Sequence, residues 1–195
     1  VDYVYLSAFS ETPIILDHFV VTSDTTLSGT QPYLVKDTLK VEEGATLNID
    51  AGVRLYFHNG ASLYVDGILN CNGKVDNQIE MRYFRGDNLF KDTKYYLAPG
   101  NWKGVWLSQK SGDCNILSTN IIGAYQCLVV DSAFVDRKVI VGNSQIYNAK
   151  RGTLVSEASQ IYAYNTLFAN GGYYNVYLTD GKYLFNHCTI ASYLT

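Results

Sequence analysis

The segment Gly44-Ala45-Thr46-Leu47-Asn48-Ile49-Asp50 returns 16 residues later as Gly60-Ala61-Ser62-Leu63-Tyr64-Val65-Asp66, and all but one position is identical or chemically matched. Each copy is a glycine turn followed by strict apolar/polar alternation. Alternation of period two is what a short strand with one buried face requires. A longer period then organises the rest of the chain into three columns of apolar residues. The first runs Leu39/Val41, Leu63/Val65, Val105/Leu107, Leu128/Val130, Leu154, Val176/Leu178. The second runs Leu47/Ile49, Leu69/Cys71, Cys114/Ile116, Ile140, Ile161/Ala163, Leu184, and the third Leu55/Phe57, Ile79/Met81, Ile121, Ile146, Leu167, Ile190.

Three short strands per 21 to 25 residues (Ile121 to Ile146, Ile146 to Leu167, Leu167 to Ile190) describe a coil whose strands stack in parallel on the next coil. One coil cannot bury its own inward residues. Stacking sets like residues in line at about 4.8 Å and makes a continuous apolar core. A β-sandwich also uses short alternating strands, but it does not predict a persistent register in three columns. The expected fold is therefore all-β, a right-handed parallel β-helix. Residues 1–38 read as an N-terminal cap over the first coil's unpaired edges, and 39–195 as the coils. Thr189 to Thr195 stay in strand register with no helix, proline or charge cluster after them, so the coils are expected to continue.

Composition agrees. Sixteen glycines and seventeen tyrosines against three prolines favour strands joined by Gly and Asn turns. Apolar residues make up 47% and charged residues 17%, the balance of a packed protein. A net charge of −3 argues against a nucleic-acid partner, which needs a concentrated basic surface. No apolar run reaches the length of a transmembrane segment. Cys71, Cys114, Cys127 and Cys188 lack CxxC spacing, which disfavours zinc, and they sit at or beside apolar strand positions as buried free thiols would.

Between Met81 and Val105 the register pauses for an insertion at about 82–104, rich in aromatics and charge. Long excursions from regular arrays serve as covers or carry function. On either side, Pro32 to Val35, Leu39 to Leu47, Gly52 to Phe57, Gly60 to Leu63 and Val65 to Gly67 resemble the opening coils of bacterial right-handed parallel β-helix proteins. Gly100-Asn101-Trp102-Lys103-Gly104-Val105 looks like the Gly-x-Trp-x-Gly-Ile/Val step those proteins carry after a first insertion. The resemblance covers residues 32–124 well and the remainder by period, and is closest to secreted and outer-surface proteins of Bacteroidetes within the pectin-lyase-like superfamily. It implies an extracytoplasmic home and a carbohydrate connection. It does not imply catalysis, because one fold hosts many functions.

Catalytic motifs are not found. Polysaccharide hydrolases need carboxylates paired across one face. Asp50 and Asp66 are equivalent by the 16-residue repeat yet fall on successive turns, and Asp76, Asp87, Asp92, Asp131, Asp136 and Asp180 stand singly. Calcium-dependent lyases need carboxylates beside a basic residue, and Asp131, Asp136 and Arg137 form only one local loop. His18 and His58 are isolated. His187 and Cys188 are adjacent on a strand, where neighbours point to opposite faces and cannot form a dyad. Arg85-Gly86-Asp87 spells an adhesion tripeptide but reads as a charged corner.

The outward positions of the first column are Lys40, Tyr64, Trp106, Val129, Val155 and Tyr177, a stripe too apolar for a bare solvated face. The expected cover is the insertion folding back over Tyr64 and Trp106. A sugar platform is the functional alternative, with Tyr64, Trp106, Tyr95, Tyr96 and Trp102 as candidate ligand-binding residues. The expected function is a non-catalytic extracellular scaffold or glycan-binding protein of a bacterial cell surface, with no cofactor or metal. The alternatives are a fragment of a polysaccharide lyase or glycoside hydrolase whose active strands lie outside this chain, and a structural adhesin stalk.

Overall fold

The computed structural model describes residues 11–132 and 138–193. Residues 1–10 of the expected cap, and Asp136 and Arg137, lie outside that range. Strands of two to six residues follow one another in the order third, first, second sheet, and every inter-coil pairing is parallel. The chain is a β-solenoid of about eight turns with about 22 residues per coil. Its sheets contain eight, seven and seven strands.

Each of the three columns becomes one sheet. In the first, Leu39, Leu63, Val105, Leu128, Leu154 and Val176 are direct partners on successive coils. All but Val176 are at most 1% exposed. Val176, Leu178, Tyr183 and Phe185 on the last described coil stay in inward register but are only partly buried. Strands Ile14–Leu16, Val20–Val21 and Thr25–Leu27 already pair in register with the coil that follows. Among the described residues, regular coiling is therefore already present at Ile14, ahead of Leu39, in a stretch whose two- and three-residue strands are too short to show alternation.

Two columns need correction by one residue. In the third sheet the partner of Ile146 is Phe168, followed by Ile190, while Leu167 pairs with Gln145 on the outer face. The uneven steps through Leu167 come from taking the outward leucine for its inward neighbour. In the second sheet Val139 and Val141 point inward, and Ile140 faces out in a row with Tyr162 and Leu184. In both places two adjacent apolar residues hide which one is buried, because a one-residue slip exchanges the faces.

The corner between the second and third sheets is a repeating two-residue unit. Its first residue has positive φ: Ser118 (46°), Asn143 (51°), Asn165 (46°) and His187 (53°). Its second donates to the carbonyl two residues back, Thr119 to Leu117 at 3.0 Å, Ser144 to Gly142 at 2.8 Å, Thr166 to Tyr164 at 2.8 Å and Cys188 to Asn186 at 3.5 Å. Asn tolerates the left-handed region best among residues with side chains, and the Asn165 amide donates to Asn143 Oδ1 at 2.8 Å. The His187-Cys188 adjacency is the last copy of this unit.

Cys71, Cys114, Cys127 and Cys188 form no disulfide. Cys71 and Cys114 lie on neighbouring coils of the second sheet but two residues out of line, since Cys71 pairs with Ile116. No helix among the described residues is long and apolar enough to cross a membrane.

Phe168→Ala should cost about 3–5 kcal/mol, as for other buried aromatics. Leu167→Ala should cost about 1 kcal/mol or less. Urea unfolding midpoints of the two variants test the register directly.

Burial raises Cys71, Cys127 and the Tyr147 phenol to about 12. Groups raised in the folded state stabilise it fully below their unfolded pKa, and the contribution drains as pH climbs towards the folded one. Stability should therefore fall between about pH 9 and pH 12, and Cys71→Ala/Cys127→Ala should flatten that fall in a pH series of unfolding midpoints.

Candidate functional site

The insertion decides which outer faces are open. It leaves the coil after Tyr83 and rejoins it at Gly104, with a small hairpin (Asn88–Phe90 with Thr93–Lys94) and a single 3-10 turn at Tyr95–Leu97. It does not fold over Tyr64 and Trp106. It packs on the outer face of the third sheet, where Leu34, Tyr56, Arg82, Ile122 and Tyr147 form one outward row. The Arg82 guanidinium lies between the rings of Tyr56 and Tyr96, 4.0 and 4.2 Å from their centroids. Its Nε donates to Glu80 and its Nη1 to the Tyr83 carbonyl. A partly desolvated cation between two aromatic faces is worth about 2 kcal/mol or more. On the outer row of the first sheet the cation among the described residues is Lys40, which pairs with Asp66 at 3.6 Å.

The same packing explains the Gly-x-Trp-x-Gly step. Trp102 is 1% exposed, stacks on Phe57 at 4.1 Å between centroids, and donates its Nε1 hydrogen to the Ile122 carbonyl at 2.8 Å. Gly104 has φ +114°, and a Cβ there would meet the Gln126 carbonyl oxygen at 1.7 Å, so only glycine fits. The step re-enters the coil from a long excursion and locks the register on both sides.

Of the five candidate residues, then, Trp102 is a core side chain. Tyr95 and Tyr96 are half-buried under Arg85 and Arg82. The adhesion tripeptide is closed upon itself, Arg85 holding Asp87 through two hydrogen bonds, which keeps the Asp87 carboxyl below its ordinary range.

Tyr64 and Trp106 remain. They are direct partners on the outer face of the first sheet, in the row Val20, Lys40, Tyr64, Trp106, Val129, Val155, Tyr177. Trp106 is 37% and Tyr177 50% exposed, while Tyr64 is half-buried. The Trp106 Nε1 hydrogen is donated to Asp131 Oδ2 at 2.7 Å, which fixes the indole's orientation. Along the margin towards the second sheet, Asp66 accepts from Ser108 at 2.6 Å. On the opposite margin Tyr174 lies 5.2 Å from Tyr177 between ring centroids, and the Arg151 backbone N–H donates to the Tyr125 carbonyl at 2.8 Å at the corner beside it. The stripe was legible as a row. Its margins were not, because Asp131 sits at a corner and Tyr174 at the very start of its strand, where no periodicity marks them.

Among the described residues no group of three or more His, Cys, Asp and Glu could hold a metal ion. No family model, curated protein or solved structure matches the chain.

The two tryptophans are opposites, and acrylamide should report it. One emission component, lost in Trp106→Phe, should quench readily, and the component left in that variant should resist quenching.

Proposed function

We propose that this chain is a non-catalytic β-helix scaffold that binds a glycan along the outer face of its first sheet, with Trp106 and Tyr64 as the stacking platform. The observation that carries this reading is the open indole of Trp106, held by Asp131 beside Tyr64 while the insertion lies on another face. Aromatic faces pack against pyranose rings, and fixed polar groups at the margin orient the hydroxyls. Asp66, Asp131 and Ser108 on one side and Tyr174 with Arg151 on the other supply such groups. A rigid sheet holds the platform without ordering cost, which favours affinity.

The resemblance of residues 32–124 to secreted β-helix proteins of the pectin-lyase-like superfamily supports an extracytoplasmic location, at a bacterial outer surface. A chain at that location holding a polysaccharide through one face would act as an anchor or a collector rather than as a hydrolase.

Titration with cello-, xylo-, manno- and chito-oligosaccharides, followed by tryptophan emission and calorimetry, tests the reading. At least one series should bind. Trp106→Ala should weaken it about ten-fold or more, about 1.4 kcal/mol, with the circular dichroism spectrum unchanged. Absence of binding to all four series would turn the assignment to a structural stalk. Cleavage of a series would turn it to an enzyme.

A further inference from the structure

The outer face of the second sheet changes character along its length. On the early coils its central outward row is Asn48, Asn70 and Asn115, whose amides bond one another at 3.2 and 3.1 Å and leave a self-satisfied polar ladder. On the later coils the same row continues as Ile140, Tyr162 and Leu184. Leu184 is 60% exposed. Beside it, in register, runs Lys138, Gln160 and Lys182. Lys138, Gln160, Tyr162, Lys182 and Leu184 of these rows line a groove of about 410 Å³.

Two features suit the groove to a sugar chain bearing negative charge. Tyr162 lines the groove, and the Tyr164 ring lies against it outside the lining, 5.4 Å between centroids at 31°. Gly142 permits it, since a Cβ there would meet the Tyr164 ring at 2.3 Å. Among the described residues neither Lys138 nor Lys182 has a carboxylate within ion-pair reach. Asp113 accepts the Lys138 backbone N–H, at 2.7 Å, rather than pairing with the ammonium.

We infer that this groove binds an acidic polysaccharide whose carboxylates fall on alternate sugars, with Lys138 and Lys182 taking successive carboxylates and Tyr162 stacking on the sugar between them. The spacing supports it. Lys138 and Lys182 are two coils apart, about 10 Å along the axis, comparable to the length of one disaccharide. A single nucleic-acid strand carries a charge on every residue and needs a longer basic track than two lysines. The site is independent of the first-sheet platform, whose polar margin towards the second sheet is acidic.

Affinity electrophoresis of the full chain in gels containing hyaluronan tests the inference, with dextran gels as the neutral control. Retardation by hyaluronan and not by dextran is expected. Lys138→Gln/Lys182→Gln should weaken it about ten-fold, as for loss of two exposed ion pairs, and Tyr162→Ala should weaken it as well. Trp106→Ala should leave it unchanged, so failure of the first-sheet reading and failure of this one are separable. The inference is overturned by no retardation in hyaluronan, by retardation that survives the double lysine variant, by a Tyr162→Ala variant that binds as well as the parent, or by single-stranded DNA competing as strongly as hyaluronan.

Discussion

Everything in this molecule rests on one contact, that between an inward aliphatic side chain and its counterpart on the next coil. Leu39, Leu63, Val105, Leu128 and Leu154 form an unbroken file in the first sheet, and the other two sheets supply similar files. No coil has a core of its own. Parallel register is thus the condition for burial, and the backbone ladders and corner turns serve to hold it. This is why the corners show such economy, with a left-handed residue and a short donor repeated at Ser118-Thr119, Asn143-Ser144, Asn165-Thr166 and His187-Cys188.

The fold was legible in the sequence because burial by stacking forces the same residue class to recur at a fixed interval. Leu63, Val65 and Ile146 are read correctly from spacing alone, for each has a polar residue or an outward tyrosine on both sides. The reading slips where it does not, as at Leu167 against Phe168 and at Ile140 between two valines. The corner role of His187 and Cys188 was hidden for a different reason. Four copies of the unit share backbone conformation and donor position, but the last has no residue in common with the others, so no compositional signal links His-Cys to Asn-Thr.

The site was legible only in part. Tyr64 and Trp106 emerge from the strand alternation as neighbours on one face, since a strand pair transmits its register faithfully. The destination of the insertion did not emerge, since it is set by Arg82 on another sheet meeting Tyr96 fourteen positions further along the chain. Contacts between a loop and a distant face obey chemistry rather than period. Similarly, the lysines of the late groove are ordinary strand residues until the coils place them in one row.

The insertion at Tyr83 has a wider meaning for how such a chain can change. The coils before and after it keep phase, with Tyr64 still opposite Trp106 across a detour long enough to form its own hairpin and turn. Corner length is therefore free, and strand phase is not. A solenoid built this way can accept new segments at its edges without renegotiating its interior, provided that each detour ends in a residue pair able to re-seat the chain, as Trp102 and Gly104 do here. Novelty in this architecture accumulates around the circumference, while the axis keeps count.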